Sequence, residues 1–364
     1  MQEPASPSAS PAEPADRLQE LGAALPRRGT VLILPHDYPD PDALASAGAV
    51  ALLLERRFHL SPRILFSGMV ARAENRVLLR HFRYRWRPTA DYRPPRRGTI
   101  PTIFVDGRPW SENITVPACA RPVAVFDHHP LHGRRIPAGL LVDIRPRLGA
   151  TATMLFEYLT AAGVAIPTWL ASAMAYAIST ETLDFTRAFL PEDQKAYTRL
   201  IARANLRILG EIRNAPLSQA YFMRMREAID HARLYGRTAW SRLEAVDQPE
   251  IVAEIADRLL QIERITWSFC SAFHGDRLIL SLRSNRRSAE CGELLRRLMP
   301  RNGEAGGHDR MAAGAVDLAG QDAAQRAAMR ETLERRLLLR IEQRTAGSDE
   351  SPAKLSRPLA PRAD

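Results

Sequence analysis

Four short, unbroken apolar runs set the strongest limit on how this chain can fold: "TVLILP" (30–35), "RILFS" (63–67), "PTIFV" (101–105) and "PVAVF" (122–126). None alternates apolar with polar residues, so each suits a strand buried on both faces. A helical pattern, "DALASAGAVALLLERRF", separates the first two runs. Two more, "GATATMLFEYLTAAG" and "PTWLASAMAYAIS", follow the fourth, the second opened by a proline where a helix tolerates one. Apolar strands alternating with helices imply a mostly parallel sheet covered on both faces, the α/β class.

At 364 residues the chain has material for two domains, taking about 150 residues for each. After residue 190 the texture changes to long, Arg-rich helices ("EDQKAYTRLIARANLRILGEIRN"). A second mixed unit then begins, with a helix over 217–233, the strand "TAWSRLEAV" and the helix "PEIVAEIADRLLQIE". It continues with the hairpin "ITWSFCSAFHGDRLILSLRS", another helix and a Gly-rich loop. A last helix, over 321–344, sets Met329, Leu333, Leu337 and Ile341 at four-residue steps. The expected layout is a tail (1–28), an α/β domain ending in linker helices (29–213), a smaller α/β domain (214–344) and a second tail (345–364). The tails are rich in Pro, Ala and Ser and read as disordered, and the first has no apolar stretch of the signal-peptide kind.

No apolar run reaches the roughly 20 residues that span a bilayer. Cys119, Cys270 and Cys291 are odd in number and show no C-x-x-C spacing. That argues against a disulfide framework or a thiolate zinc site and fits a reducing cytoplasm. A soluble, cytoplasmic protein without a membrane partner is expected. The net charge is +10, and Lys195 and Lys354 are the only lysines, so almost all of the positive charge is arginine. Such a surface favours phosphate-rich partners, although it serves solubility equally well.

The acids stand in an ordered pattern. "VLIL" runs into His36, Asp40 and Asp42; "TIFV" runs into Asp106; "PVAVF" runs into Asp127, His128 and His129. In an open parallel sheet, ligands gather beyond the carboxyl ends of the strands, so three strands would deliver acids and imidazoles to one crevice. Taken alone, "PDPDA" is a turn with an N-cap, and "DHH" could be a buried histidine pair. Their succession after three strands points to a metal site. Mixed His/Asp sets suit Mn²⁺, Fe²⁺ or Zn²⁺. Asp40 and Asp42 could each serve a different ion with a third acid bridging them. Two ions roughly 3.5–4 Å apart activate water and neutralise a phosphoryl oxygen.

In this order, "H-x-x-x-D-x-D-A", a strand-end "VD" and "DHHP" resemble the DHH phosphoesterase family. The resemblance extends to "SGMVARAENRVLL" and "DIRPRLGATATMLFEYL" and covers about residues 30–320. It implies that His36 and Asp40 hold one Mn²⁺ and that Asp42 and His128 hold a second, with Asp106 bridging. Mg²⁺ or Co²⁺ would be substitutes. It further implies that Asp127 orients the imidazoles and that His129 faces the scissile phosphate. The family's fourth motif reads like "G-I-x-x-D-T", whereas this chain has "AISTETLDF". Glu181 stands at the ligand's place, and Asp184 competes with it.

"LILSLRSNRRSAECGELLRRLMPRNGEAGGHDRMAAGAVDL" resembles the family's associated C-terminal domain. That likeness implies an active site in the cleft between the domains. Arg283, Ser284, Gly306, Gly307 and His308 would bind a substrate phosphate, with Arg72 and Asn75 as further candidates. The two-domain form is similar to nanoRNase/pAp phosphatases, which act on short RNA or small nucleotides, and a homodimer is compatible with it. Cyclic-di-AMP or linear-dinucleotide hydrolysis, a RecJ-like exonuclease and a weakly active nucleotide-binding regulator stay open.

Overall fold

The computed structural model describes residues 14–345 and 357–358, apart from 69, 71, 95–97, 112, 132–135, 138, 188, 287, 308 and 309. The chain divides into two units, Met1–Pro216 and Leu217–Asp364. In chain order the first carries α1 (Pro14–Ala24), β1 (Thr30–Pro35), α2 (Pro41–Arg57), β2 (Ser61–Phe66), α3 (Ala73–Arg80), β3 (Trp86–Pro88) and β4 (Ile100–Val105). There follow β5 (Ala120–Asp127), β6 (Leu141–Ile144), α4 (Thr151–Ala161), α5 (Thr168–Glu181), α6 (Pro191–Ile201) and α7 (Leu206–Arg213).

All four apolar runs are strands, and the sheet they build is parallel throughout, in the order β3-β2-β1-β4-β5-β6. The order steps outward from β1 to β3 and then returns to place β4 beside β1. That reversal is a topological switch point, where neighbouring crossovers diverge and leave a crevice. There Pro35 is in register with Val105, and Val105 with Phe126, so the chain leaves three neighbouring strand ends side by side.

One sheet face, with Val31, Ile33, Ile103, Val105 and Phe126, packs in a single core with buried residues of α1, α2, α4 and α5. The other face was expected to carry helices too. Leu32, Leu34, Phe104 and Val125 instead pack with Ile114 and Cys119 from the β4–β5 connection and with Leu65 and Ile100. Among the described residues no helix residue joins that cluster, because the β4–β5 crossover contains no helix.

Local chemistry explains the remaining boundaries. Asp40 caps α2 by accepting the Ala43 N–H at 2.9 Å, and Pro41 follows in the first turn. Residues 14–24, expected within a disordered tail, form α1 because Leu18 and Leu21 bury themselves in the core, followed by Leu25. The Arg-rich stretch after residue 190 forms two helices, α6 and α7. Asn205 accepts the N–H groups of Arg207 and Ile208 and so starts α7 afresh.

The second unit carries α8 (Gln219–Asp230), β7 (Arg233–Tyr235), β8 (Thr238–Ala245), α9 (Glu250–Leu260), β9 (Trp267–His274) and β10 (Arg277–Ser284). It ends with α10 (Cys291–Leu298), β11 (Gly303–Gly307), β12 (Met311–Asp317), α11 (Ala323–Thr345) and β13 (Arg357–Pro358). Its sheet runs β11-β12-β10-β9-β8-β7-β13 and is antiparallel except for β8 with β9. The expected hairpin is β9–β10. The expected Gly-rich loop is instead the edge strand β11, paired with β12 as far as Gly307. Gly307 has φ 140°, and a Cβ there would lie 2.3 Å from the Met311 carbonyl oxygen, so only glycine fits. In α11, Leu333, Leu337 and Ile341 are buried, as their spacing predicts. Among the described residues no helix is long and apolar enough to cross a membrane.

Candidate metal centre

Asp106 stands at the middle of the crevice. It leaves β4 with φ 54°, a left-handed conformation that non-glycine residues avoid. Its N–H still donates to the Phe126 carbonyl at 2.8 Å, which ties the turn to β5. The carboxylate, almost wholly buried, is thereby aimed between two sets of imidazoles. Oδ2 lies 3.5 Å from Nε2 of His36. Oδ1 lies 3.7 Å from Nε2 of His128 and 3.5 Å from Nδ1 of His129.

Two of these rings are turned so that Nε2 faces the acids. Nδ1 of His36 donates to the Asp37 carbonyl at 2.8 Å, and Nε2 faces Asp106 and, at 3.8 Å, Asp40. Nδ1 of His128 donates to the Leu148 carbonyl at 3.2 Å, and Nε2 lies 3.9 Å from Asp42. That Nε2 is buried and has no hydrogen-bond partner. A buried polar atom left unpaired among carboxylates is the position a cation would satisfy. His129 is turned differently. Its Nδ1 donates to Oδ1 of Asp127 at 2.8 Å, so that nitrogen is engaged with a carboxylate and not presented as a lone pair.

Donor atoms of His36, Asp40 and Asp106 form one group within 4.8 Å of one another, and those of Asp106, His128 and His129 form another. Asp106 belongs to both, which is the place of a bridging acid. Asp42 falls outside these groups. It is fully buried, and its oxygens accept the N–H groups of Thr151 at 2.7 Å and Ala152 at 2.8 Å, at the start of α4. Glu181, at the end of α5, also falls outside them but senses the charges of Asp40, His128 and Asp106. Asp184, its competitor, is exposed; it accepts the Ser179 hydroxyl and lies 3.8 Å from Arg213.

The crowding of acids shows in their protonation. Burial and then the Asp40 charge push Glu181 up to about 7. Burial and then Asp106 raise Asp42 well above the usual carboxylate range. Burial disfavours the imidazolium of His128, but Asp106 and Asp42 outweigh it and lift the pKa to about 9. The same contest, won by Asp106 and Asp40, raises His36. Asp40 is lowered despite its burial by the hydrogen bond and charge of His36. Buried carboxylates this close repel one another, and a divalent cation offsets such repulsion. The donors, hard oxygens with two imidazoles whose far nitrogens are pinned, fit such an ion.

No family model matches the chain. Over 293 residues it is 27% identical to an uncharacterized protein of Methanocaldococcus jannaschii, a match that spans 80% of this chain and 59% of that protein's length. An exopolyphosphatase-related protein from Bacteroides fragilis, known from its crystal structure, covers 90% of this chain and 97% of its own, with a TM-score of 0.63 and 15% identity. This chain and the Bacteroides fragilis protein share a fold. A RecJ structure from Thermus thermophilus, in complex with Mn²⁺, is fainter, with a TM-score of 0.49, 17% identity and coverage of 92% and 56%.

Arg108 was not among the residues expected at the site. Its Nε donates to Oδ2 of Asp127 at 2.6 Å, and its Nη2 donates to the carbonyls of His129 at 2.5 Å and Pro130 at 3.1 Å. It therefore holds the "DHHP" turn from beneath. Burial raises Asp127, but the hydrogen bond and charge of His129, with the charge of Arg108, leave its pKa below the usual range. The only sequence signal was an arginine two residues after a strand-end acid, in "VDGR". Thr151 was missed as well; its hydroxyl donates to Oδ1 of Asp106 at 3.0 Å.

The residues expected to bind substrate are differently placed. Asn75 is buried, and its Nδ2 donates to the Pro39 carbonyl at 3.3 Å, bracing the Asp40 turn, while Arg72 stands at the start of α3 near Glu74. In the second unit, Arg283 is buried. Its Nε donates to Asp257 at 2.5 Å, and its Nη1 donates to Ser281 and to the carbonyls of Leu282 and Ala312. Its Nε and Nη1 are thus engaged within the second unit. Ser284 donates to the Thr266 carbonyl. Gly306 is exposed on β11, Gly307 ends that strand with its backbone against Met311 and Ala312, and His308 lies outside the described residues.

Proposed function

We propose that this protein is a metal-dependent phosphoesterase of the DHH type that hydrolyses phosphoester bonds in short RNA oligonucleotides or small nucleotides. The working ion is Mn²⁺, with Mg²⁺ or Co²⁺ as substitutes. One observation carries the reading: Asp106 stands between His36 and the His128–His129 pair, with the unpaired Nε2 of His128 buried beside it. His36, Asp40, Asp42, Asp106, His128 and Glu181 would hold two ions. Such ions, when bound, supply Lewis acidity and an activated water.

The chain's own residues prepare the rest. Asp106 accepts the Thr151 hydroxyl, which restricts the carboxylate to one orientation. His129, aligned by Asp127 and through it by Arg108, is assigned to the scissile phosphate and not to an ion. The excess of arginine draws polyanionic substrates toward the protein, a long-range effect that salt weakens.

The test uses metal-stripped protein resupplied with Mn²⁺, Mg²⁺ or Co²⁺ and offered labelled dinucleotide RNA, pAp, cyclic-di-AMP and a long single strand. Mn²⁺-dependent hydrolysis of the dinucleotide or pAp, abolished by Asp106→Ala, is expected. No hydrolysis with any ion, or near-normal turnover by Asp106→Ala, would sink the proposal. Processive degradation favouring the long strand would make the protein a RecJ-like exonuclease instead.

A further inference from the structure

Asp193 is fully buried in the first turn of α6, more than fifty residues from any acid or imidazole of β1, β4 and β5. Its Oδ2 accepts the Leu190 N–H at 2.8 Å, the reciprocal cap of its own helix. The same carboxylate makes two bonds that capping does not need. Oδ2 also accepts the Gly149 N–H at 2.9 Å, and Oδ1 accepts the Thr153 hydroxyl at 2.5 Å.

Both of these go to the segment that grips the metal centre. The Leu148 carbonyl takes Nδ1–H of His128. The Thr151 and Ala152 N–H groups hold the oxygens of Asp42, and the Thr151 hydroxyl holds Asp106. Gly149 lets the carboxylate come this close: a Cβ there would lie 3.2 Å from Asp193 and 2.5 Å from the methyl group of Thr182.

We infer that Asp193 is a positioning residue for the metal centre, a buried carboxylate that clamps the 148–153 turn and so fixes Asp42 and the ring of His128. This rests on the metal-centre reading above, in which Asp42 and His128 are ligands; Asp193 itself is not one. Groups hydrogen-bonded directly to metal ligands are typically worth about 10–100-fold in metal affinity or activity. Asp193 acts one step further back, through the turn, so the lower end applies.

Calorimetric titration of Mn²⁺ into the metal-stripped full chain tests the inference, with circular dichroism establishing the fold of each variant. Asp193→Asn removes the negative charge and leaves one acceptor oxygen where two now serve the Leu190 and Gly149 N–H groups and the Thr153 hydroxyl. The folded variant should bind Mn²⁺ about 10-fold more weakly, the lower end of that range, and high Mn²⁺ should restore part of kcat with KM unchanged. A residue that served only the stability of α6 would lower the melting temperature and leave Mn²⁺ affinity alone. Thr153→Val, which removes one of the bonds, should weaken binding in the same direction by less. Folded Asp193→Asn with wild-type Mn²⁺ affinity overturns the inference. If that variant does not fold, Thr153→Val decides, and wild-type affinity there overturns it. A wild-type chain that binds no Mn²⁺ refutes the metal-centre reading itself, and the inference with it.

Discussion

Arg108→Ala should be among the most damaging single changes in the first unit that touch no metal donor. The Arg108–Asp127 pair has side chains 10% and 2% exposed and a separation of 2.6 Å. Removing one partner of a buried pair strands the other charge and typically costs about 3–5 kcal/mol. Asp127 keeps two bonds from His129, to its N–H and its Nδ1, so the cost should fall near the lower end, about 3 kcal/mol. For a unit of this size, about 2–4 °C per kcal/mol gives a fall in Tm of roughly 6–12 °C. Scanning calorimetry of the full chain reads the transition directly. In a double-mutant cycle with Asp127→Asn, the double variant should lose clearly less than the two singles together, because the pair fails as one. Mn²⁺ stoichiometry should stay unchanged while kcat falls, since Arg108 acts on the backbone around His129. A loss below about 1 kcal/mol would place the pair among ordinary surface bridges and refute the reasoning.

His128→Ala should lower the metal content measured by elemental analysis, whereas His129→Ala should keep the metal and lose rate; equal metal loss in both would refute the division of roles. Glu181→Ala should raise the Mn²⁺ concentration needed for half-maximal activity, and Asp184→Ala should not; the reverse would show that the exposed acid is the ligand. The pKa of Asp127 is depressed in the folded state, so its ionised form favours folding above the ordinary carboxylate value of about 3.9. That contribution disappears as pH falls through the lower folded value. The stability gap between wild type and Asp127→Asn should therefore be widest near neutrality and narrow in acid, as followed by urea melts. A gap that widened in acid would show that the sign is wrong.

Much of the first unit was legible because strand burial and strand-end chemistry are local. An unbroken run such as "TVLIL" cannot have a wet face, and an acid directly after it must sit at the carboxyl end of a strand. The parallel sheet, its four expected strands and the acids clustered at their ends follow from those two facts. Weaker local signals were lost: β3 and β6 are only three and four residues long, and α1 hides in a composition that reads as a tail until Leu18 and Leu21 find the core. Glycine-rich β11 read as a loop because its pairing with β12 is not visible in its own residues.

What only the tertiary structure decided is which polar groups meet. Nothing near Arg108 in the sequence says that its guanidinium turns under Asp127, nor does "SLRS" say that Arg283 turns inward to Asp257. The choice between Glu181 and Asp184 depends on where α5 ends against the crevice, a matter of helix packing and not of spacing. The order and kind of the acids were therefore readable from the chain itself, since each belongs to its own strand. Their distances, partners and protonation arise from contacts between residues far apart in sequence, and those exist only once the core has brought the strand ends together.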